Sequence, residues 1–163
     1  MFTRTLKRLL LAASMCCLVA TANATPLDDA TAAYNRGDYA QALKISRPLA
    51  AKGNAQAQFN LGRMYRDGFG VIQDYKEAVK WYRLAAAQGD AEAQYNLGFM
   101  YFIGWGVPQD YASAHMWFNL ASAAGDATAA QSRDVSASGM TPQQIEKAQE
   151  MARKCQGRNF KGC

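Results

Sequence analysis

Histidine is nearly absent from this chain of 163 residues: there is one, His115. Zinc sites built on paired histidines are thereby excluded. His115 stands where the preceding copy of the same sequence pattern has Val79, so it reads as a tolerated helix residue and not as a catalytic base. Cysteine is also sparse, with 4 in all. No Ser-x-x-Lys run of the penicillin-binding type occurs. The pairs Gly68/Gly70 and Gly104/Gly106 start like a phosphate loop, but no Gly-Lys-Ser/Thr follows. No catalytic residue, metal ligand or cofactor is expected. Charge of one sign is missing as well. Basic and acidic residues are mixed along the chain, which argues against a nucleic-acid partner.

No apolar run is long enough to span a bilayer, which takes about 20 residues. The apolar stretch from Leu9 to Ala22 follows a basic start at Arg4, Lys7 and Arg8 and ends in Ala22-Asn23-Ala24. That three-part pattern is an export signal, with cleavage expected before Thr25 and a periplasmic or secreted product. Lipidation at Cys16 is disfavoured by the bulky Met15 before it. Loss of residues 1–24 removes three of the 18 basic residues, leaving 15 against 13 acidic and a net charge of +2. It also removes Cys16 and Cys17. The remaining Cys155 and Cys163 are an even pair in an oxidising compartment and are expected to close a short C-terminal loop, the alternative being free or intermolecular thiols.

What the chain does have is a repeat. Residues 53–88 and 89–124 align without a gap at a period of 36. A fixed period of this length marks stacked helix pairs, each of which buries its apolar stripe only against its neighbour. In the first copy Asn54 caps a helix carrying Ala55, Gln58, Leu61, Gly62 and Tyr65 on one face. Gly68 and Gly70 turn the chain. Asp74 caps a second helix with Tyr75, Ala78, Trp81, Tyr82 and Ala85, and Gly89 ends it. The second copy repeats each step from Asp90 to Ala124. Gly62 and Gly98 fall inside helices at the same phase, which indicates close approach by a neighbouring helix. Residues 28–52 read as a degenerate N-terminal repeat lacking the glycine loop. Residues 125–155 read as a degenerate repeat with a last helix opening at Thr141-Pro142, and 155–163 as a disulfide-closed tail. Ser132 to Gly139 shows at best weak helical character.

The pattern A-x-A-Q-[FY]-N-L-G-x-M-Y-x-x-G-x-G-V-x-Q-D-Y-x-x-A-x-x-W-[YF]-x-x-A resembles the Sel1-like repeat, a relative of the tetratricopeptide repeat. In the first copy it is carried by Ala55 through Ala85, including Asn60, Met64, Val71 and Gln73. The resemblance implies an all-α fold, an α-solenoid of antiparallel helix pairs with a C-terminal capping helix. The first helix of each pair would line the concave face. It also implies a non-enzymatic protein- or peptide-binding adaptor of the cell envelope. The alternatives are a cell-wall hydrolase or penicillin-binding protein, by family association, or a homodimerising assembly element. Exported relatives associated with β-lactams have cysteines that staple each repeat, and this chain has none there.

Positions that differ between the copies are the candidates for a partner site. Arg63, Arg66 and Asp67 become Phe99, Phe102 and Ile103, which share one helix face, and Trp105 follows in the loop. Such an apolar cluster marks an interaction site if exposed, unless the C-terminal segment covers it. Asn60 and Asn96 are the second candidate: similarly placed asparagines in tetratricopeptide relatives bind peptide backbone or a terminal carboxylate, with Arg63 beside them here. The alternative role is tying the helix to its loop.

Overall fold

A computed structural model describes residues 25–163; the expected signal, 1–24, lies outside the described residues. Eight helices follow one another: α1 (Pro26–Asn35), α2 (Tyr39–Ala51), α3 (Ala55–Asp67), α4 (Tyr75–Ala86), α5 (Ala91–Ile103), α6 (Tyr111–Ala123), α7 (Ala127–Ala137) and α8 (Pro142–Gly157). There is no strand among the described residues. The first six helices form three pairs, and each pair packs on the next. The architecture is the all-α stack of helix pairs that the 36-residue period implies.

The helices start where the side chains can cap them. Asn54, Asp74, Asp90, Asp110 and Asp126 each accept from backbone N–H groups of the following first turn. Thr25 and Thr141 form capping boxes with Asp28 and Gln144. Gly68 and Gly104 end α3 and α5 in the left-handed conformation, at φ 73° and 84°. The glycine loop then folds back on its own helix: the Asp74 N–H donates to Tyr65 O, and the Asp110 N–H to Tyr101 O. Gln73 and Gln109 brace the same loops by donating to Arg66 O and Phe102 O.

Two repeated contacts fasten each pair to the one before. Gln58 donates to Ala50 O, and Gln94 to Ala86 O, so a buried glutamine adds a second donor to a carbonyl at the end of the preceding helix, beside the N–H of Gly53 or Gly89. Phe69 stacks on Tyr39 at 4.4 Å, and Trp105 on Tyr75 at 4.7 Å. Small residues let the helices approach: Ala57, Ala78, Ala85, Ala93, Ala114 and Ala121 are fully buried.

The segment from Ser132 to Gly139 departs from the sequence expectation. Through Ala137 it is the second half of α7, an ordinary α-helix. Its alanines and serines carry no strong apolar stripe, so α7 owes its order to packing on α6. The last pair also differs in arrangement: α7 and α8 both pack on α6 and scarcely touch each other. Cys155 bonds to Cys163. The closed loop carries Asn159 and Phe160 at positive φ, and the Phe160 ring rests against Gly89.

Candidate functional site

The face presented by α1, α3 and α5 gathers the residues that differ between the copies. Arg63 lies over the ring of Tyr34 at 4.5 Å and near Phe59 at 5.7 Å. Arg66 makes two bonds to Asp67, at 2.7 and 2.9 Å, and a third from Nη1 to Asn96 Oδ1. This anchoring holds the guanidinium pKa above its ordinary value, the Asp67 hydrogen bond being the largest cause and burial opposing it. Asn96 in turn donates to Glu92 O. Arg66 and Asn96 thus link one repeat to the next, and Arg63 is held on aromatic rings. Asn60 is buried, 8% exposed. The loop-tying role considered for the asparagines is performed by Gln73 and Gln109.

Next to this polar band lies the aromatic cluster. Phe99 meets Trp105 edge to face at 5.9 Å, and Phe102 leans on Tyr111 at 5.4 Å. Phe99 and Phe102 are half-buried, and line a small cavity of about 170 Å³ together with Tyr95, Ser132 and Val135. So α7 covers this face in part. Ile103 and Trp105 remain 39% and 38% exposed, and Val135 on α7 is 53% exposed. The structure therefore brings Arg66, Asn96, Phe99 and Trp105 onto adjoining ground. It leaves Asn60 beneath the surface.

A second concave region, unmarked by the sequence reading, lies between α7 and α8. His115, Asn119, Arg133, Asp134, Gln149 and Arg153 line it. Burial is the main cause holding the His115 imidazole below its usual pKa; Arg133 adds to the effect and Asp134 opposes it. Among the described residues no cluster of three or more histidine, cysteine, aspartate or glutamate side chains is placed to hold a metal. No described helix is long and apolar enough to cross a membrane.

The Sel1 repeat matches the chain twice, at residues 55–90 and 91–126, the same 36-residue period with boundaries two residues later than those read from the sequence. No curated protein matches. Among solved structures, a protective antigen present in uropathogenic Escherichia coli strains, displaying an SLR fold, is similar with a TM-score of 0.77 and 31% identity over 83% of this chain. A Sel1 repeat protein from Oxalobacter formigenes is similar with a TM-score of 0.62 and 34% identity over 66% of this chain. The chain spans only 32% and 43% of the length of those two proteins.

Proposed function

We propose, from the premise that this chain is a Sel1-repeat protein, that it is a non-catalytic adaptor of the cell envelope that binds another protein or peptide. Sel1 and related repeats are generally protein-interaction modules, and stacked helices offer an extended surface instead of an enclosed reaction chamber. The observation that carries the reading is the apolar ground of Phe99, Phe102, Ile103 and Trp105 beside the polar band of Arg63, Arg66 and Asn96. Ile103 and Trp105 are more than a third exposed. Large apolar side chains that stay accessible next to fixed hydrogen-bonding groups are the usual anchors of a protein interface. The amino-terminal signal pattern supports a partner in the envelope or outside the cell.

The experiment is affinity capture from an envelope extract with the wild-type chain and with Ile103→Asp. Ile103 lies at the surface, so the charge leaves the fold intact while opposing an apolar contact. A specific protein retained by the wild type and lost with Ile103→Asp is the expected result. Identical partners with both chains, together with turnover of a β-lactam by the purified chain, would favour the hydrolase alternative. A concentration-dependent dimer in gel filtration, abolished by Ile103→Asp, would identify the assembly element.

A further inference from the structure

Charge is mixed along the chain but sorted between its helices. Inside α2, α4, α6 and α8 there are eight basic residues and three acidic ones; inside α1, α3, α5 and α7 there are three basic and five acidic. The helices α1, α3 and α5 meet along one side, through Arg63 over the Tyr34 ring and Arg66 on Asn96. Their partners α2 and α4 lie away from that side, and it is these outer helices that carry the basic excess.

The excess follows the repeat. Thirty-six positions beyond Lys44 and Arg47 stand Lys80 and Arg83. All four are exposed, as is Lys76. Residues 76, 80 and 83 fall at helical spacing on one side of α4, as 44 and 47 do on α2, and stacking sets equivalent positions of successive pairs beside each other. In the third pair the residue equivalent to Lys44 and Lys80 is Met116, only 4% exposed, because α8 packs on α6 there. The position is basic where it is open and apolar where another helix covers it. An exposed position does nothing for stacking.

Acidic residues near this row are few. Inside α2 there is none, and inside α4 there is only Glu77, which pairs with Lys80. The caps Asp38 and Asp74 are held by backbone N–H groups at the helix starts. Lys44, Arg47, Lys76 and Arg83 form no ion pair with any described residue; Arg83 donates to the Tyr101 hydroxyl. A face that served solubility alone would intersperse both signs. Leu84, eight residues past Lys76 and so on the same stripe, is 43% exposed. No aromatic ring on α2 or α4 is exposed, so nucleic-acid bases would find nothing to stack on. Basic side chains around an exposed aliphatic one suit an anionic bilayer, which asks for charge density and not for register.

We propose that the outward side of α2 and α4 adsorbs to a bilayer surface rich in anionic phospholipid, with Lys44, Arg47, Lys76 and Arg83 against the headgroups and Leu84 beside them. Adsorption depends on the envelope location inferred above and not on the surface around Ile103, so the chain can hold a membrane with one side and a protein with the other.

The experiment is co-sedimentation of the mature chain, residues 25–163, with vesicles of equal parts phosphatidylglycerol and phosphatidylcholine, and with vesicles of phosphatidylcholine alone. Saturable binding to the first and not to the second is expected, weakening as salt rises from about 0.05 M to about 0.5 M. Lys44→Gln/Lys76→Gln should bind the anionic vesicles about tenfold more weakly or worse. Arg36→Gln/Arg63→Gln, which removes the same charge from the other set of helices, should bind within about twofold of the wild type, and so should Ile103→Asp. Unfolding curves check that each variant is folded. Equal binding to neutral vesicles would overturn the proposal, as would equal weakening by the two double variants or loss of binding with Ile103→Asp. So would a chain that ignores anionic vesicles, whether or not it binds single-stranded DNA or polyglutamate.

Discussion

Gly98 lies so close beneath Phe118 that a β-carbon added to it would stand 2.9 Å from the ring, and Gly62 would meet Tyr82 at 2.5 Å. Alanine in a helix interior ordinarily gains about 1 kcal/mol over glycine. Here the overpacking term, about 1–3 kcal/mol, opposes that gain, since the added carbon also meets the backbone carbonyl of Ala114 at 3.2 Å, which cannot turn aside. Gly98→Ala is therefore expected to lower the stability in urea unfolding. A variant as stable as the wild type would show that the pair can separate freely.

Gly106 and Gly125 both have positive φ, at 73° and 101°. Their surroundings differ: a β-carbon at 106 would strike the backbone of Tyr75 in the preceding pair, and at 125 it would meet nothing within 4 Å. Gly125→Ala should cost only the backbone strain, about 1–2 kcal/mol. Gly106→Ala should cost clearly more in the same unfolding assay. Equal losses would refute the close approach between loop and helix.

Arg66 and Asn96 join α3 to α5 across the repeat boundary. A double-mutant cycle on Arg66→Ala and Asn96→Ala should give a coupling of about 0.5–1.5 kcal/mol. A coupling near zero would mean that the bond contributes nothing to stacking.

His115 is held below its usual pKa of 6.5. The unfolded chain then binds a proton more readily than the folded chain, so this residue contributes stability that is fully present above about pH 6.5. That contribution declines as pH falls through 6.5 toward the folded-state value, below which it is gone. The charged groups facing it are Arg133, Asp134 and Arg153. Denaturation midpoints measured from pH 7.5 downward should fall more steeply for the wild type than for His115→Gln.

The disulfide between Cys155 and Cys163 closes a loop eight residues apart in sequence. Chain-entropy reasoning assigns it about 2–3 kcal/mol at most. Reduction should free Phe160 from Gly89 and shift the thermal midpoint, leaving the helical circular dichroism largely unchanged. Collapse of the whole helical signal on reduction would place the tail at the centre of folding and not at its edge.

Local signals were legible in the sequence. Asn54, Asp74, Asp90, Asp110 and Thr141 all cap helices as expected, because a cap depends on a few adjoining backbone groups. The repeat period carried the stacking, and the interior glycines announced close approach before any partner ring was known. Contacts between copies were not legible. Nothing in one repeat reveals that Arg66 reaches Asn96, or that Gln58 and Gln94, and not Asn60, tie off the preceding helix. Residues 132–137 looked weakly helical because their order comes from α6.

Trp105 reaches back to Tyr75, just as Phe69 reaches back to Tyr39. Each glycine loop thus clasps a hairpin that precedes it in the chain, and never one that follows. Growth of the stack accordingly has a direction. A polypeptide emerging amino terminus first meets, at every step, a surface already completed, so each new hairpin can dock without waiting for residues still to come. The series breaks at Thr141, which stands where Phe69 and Trp105 stand in the two full repeats, so no ring from that position reaches back to Tyr111.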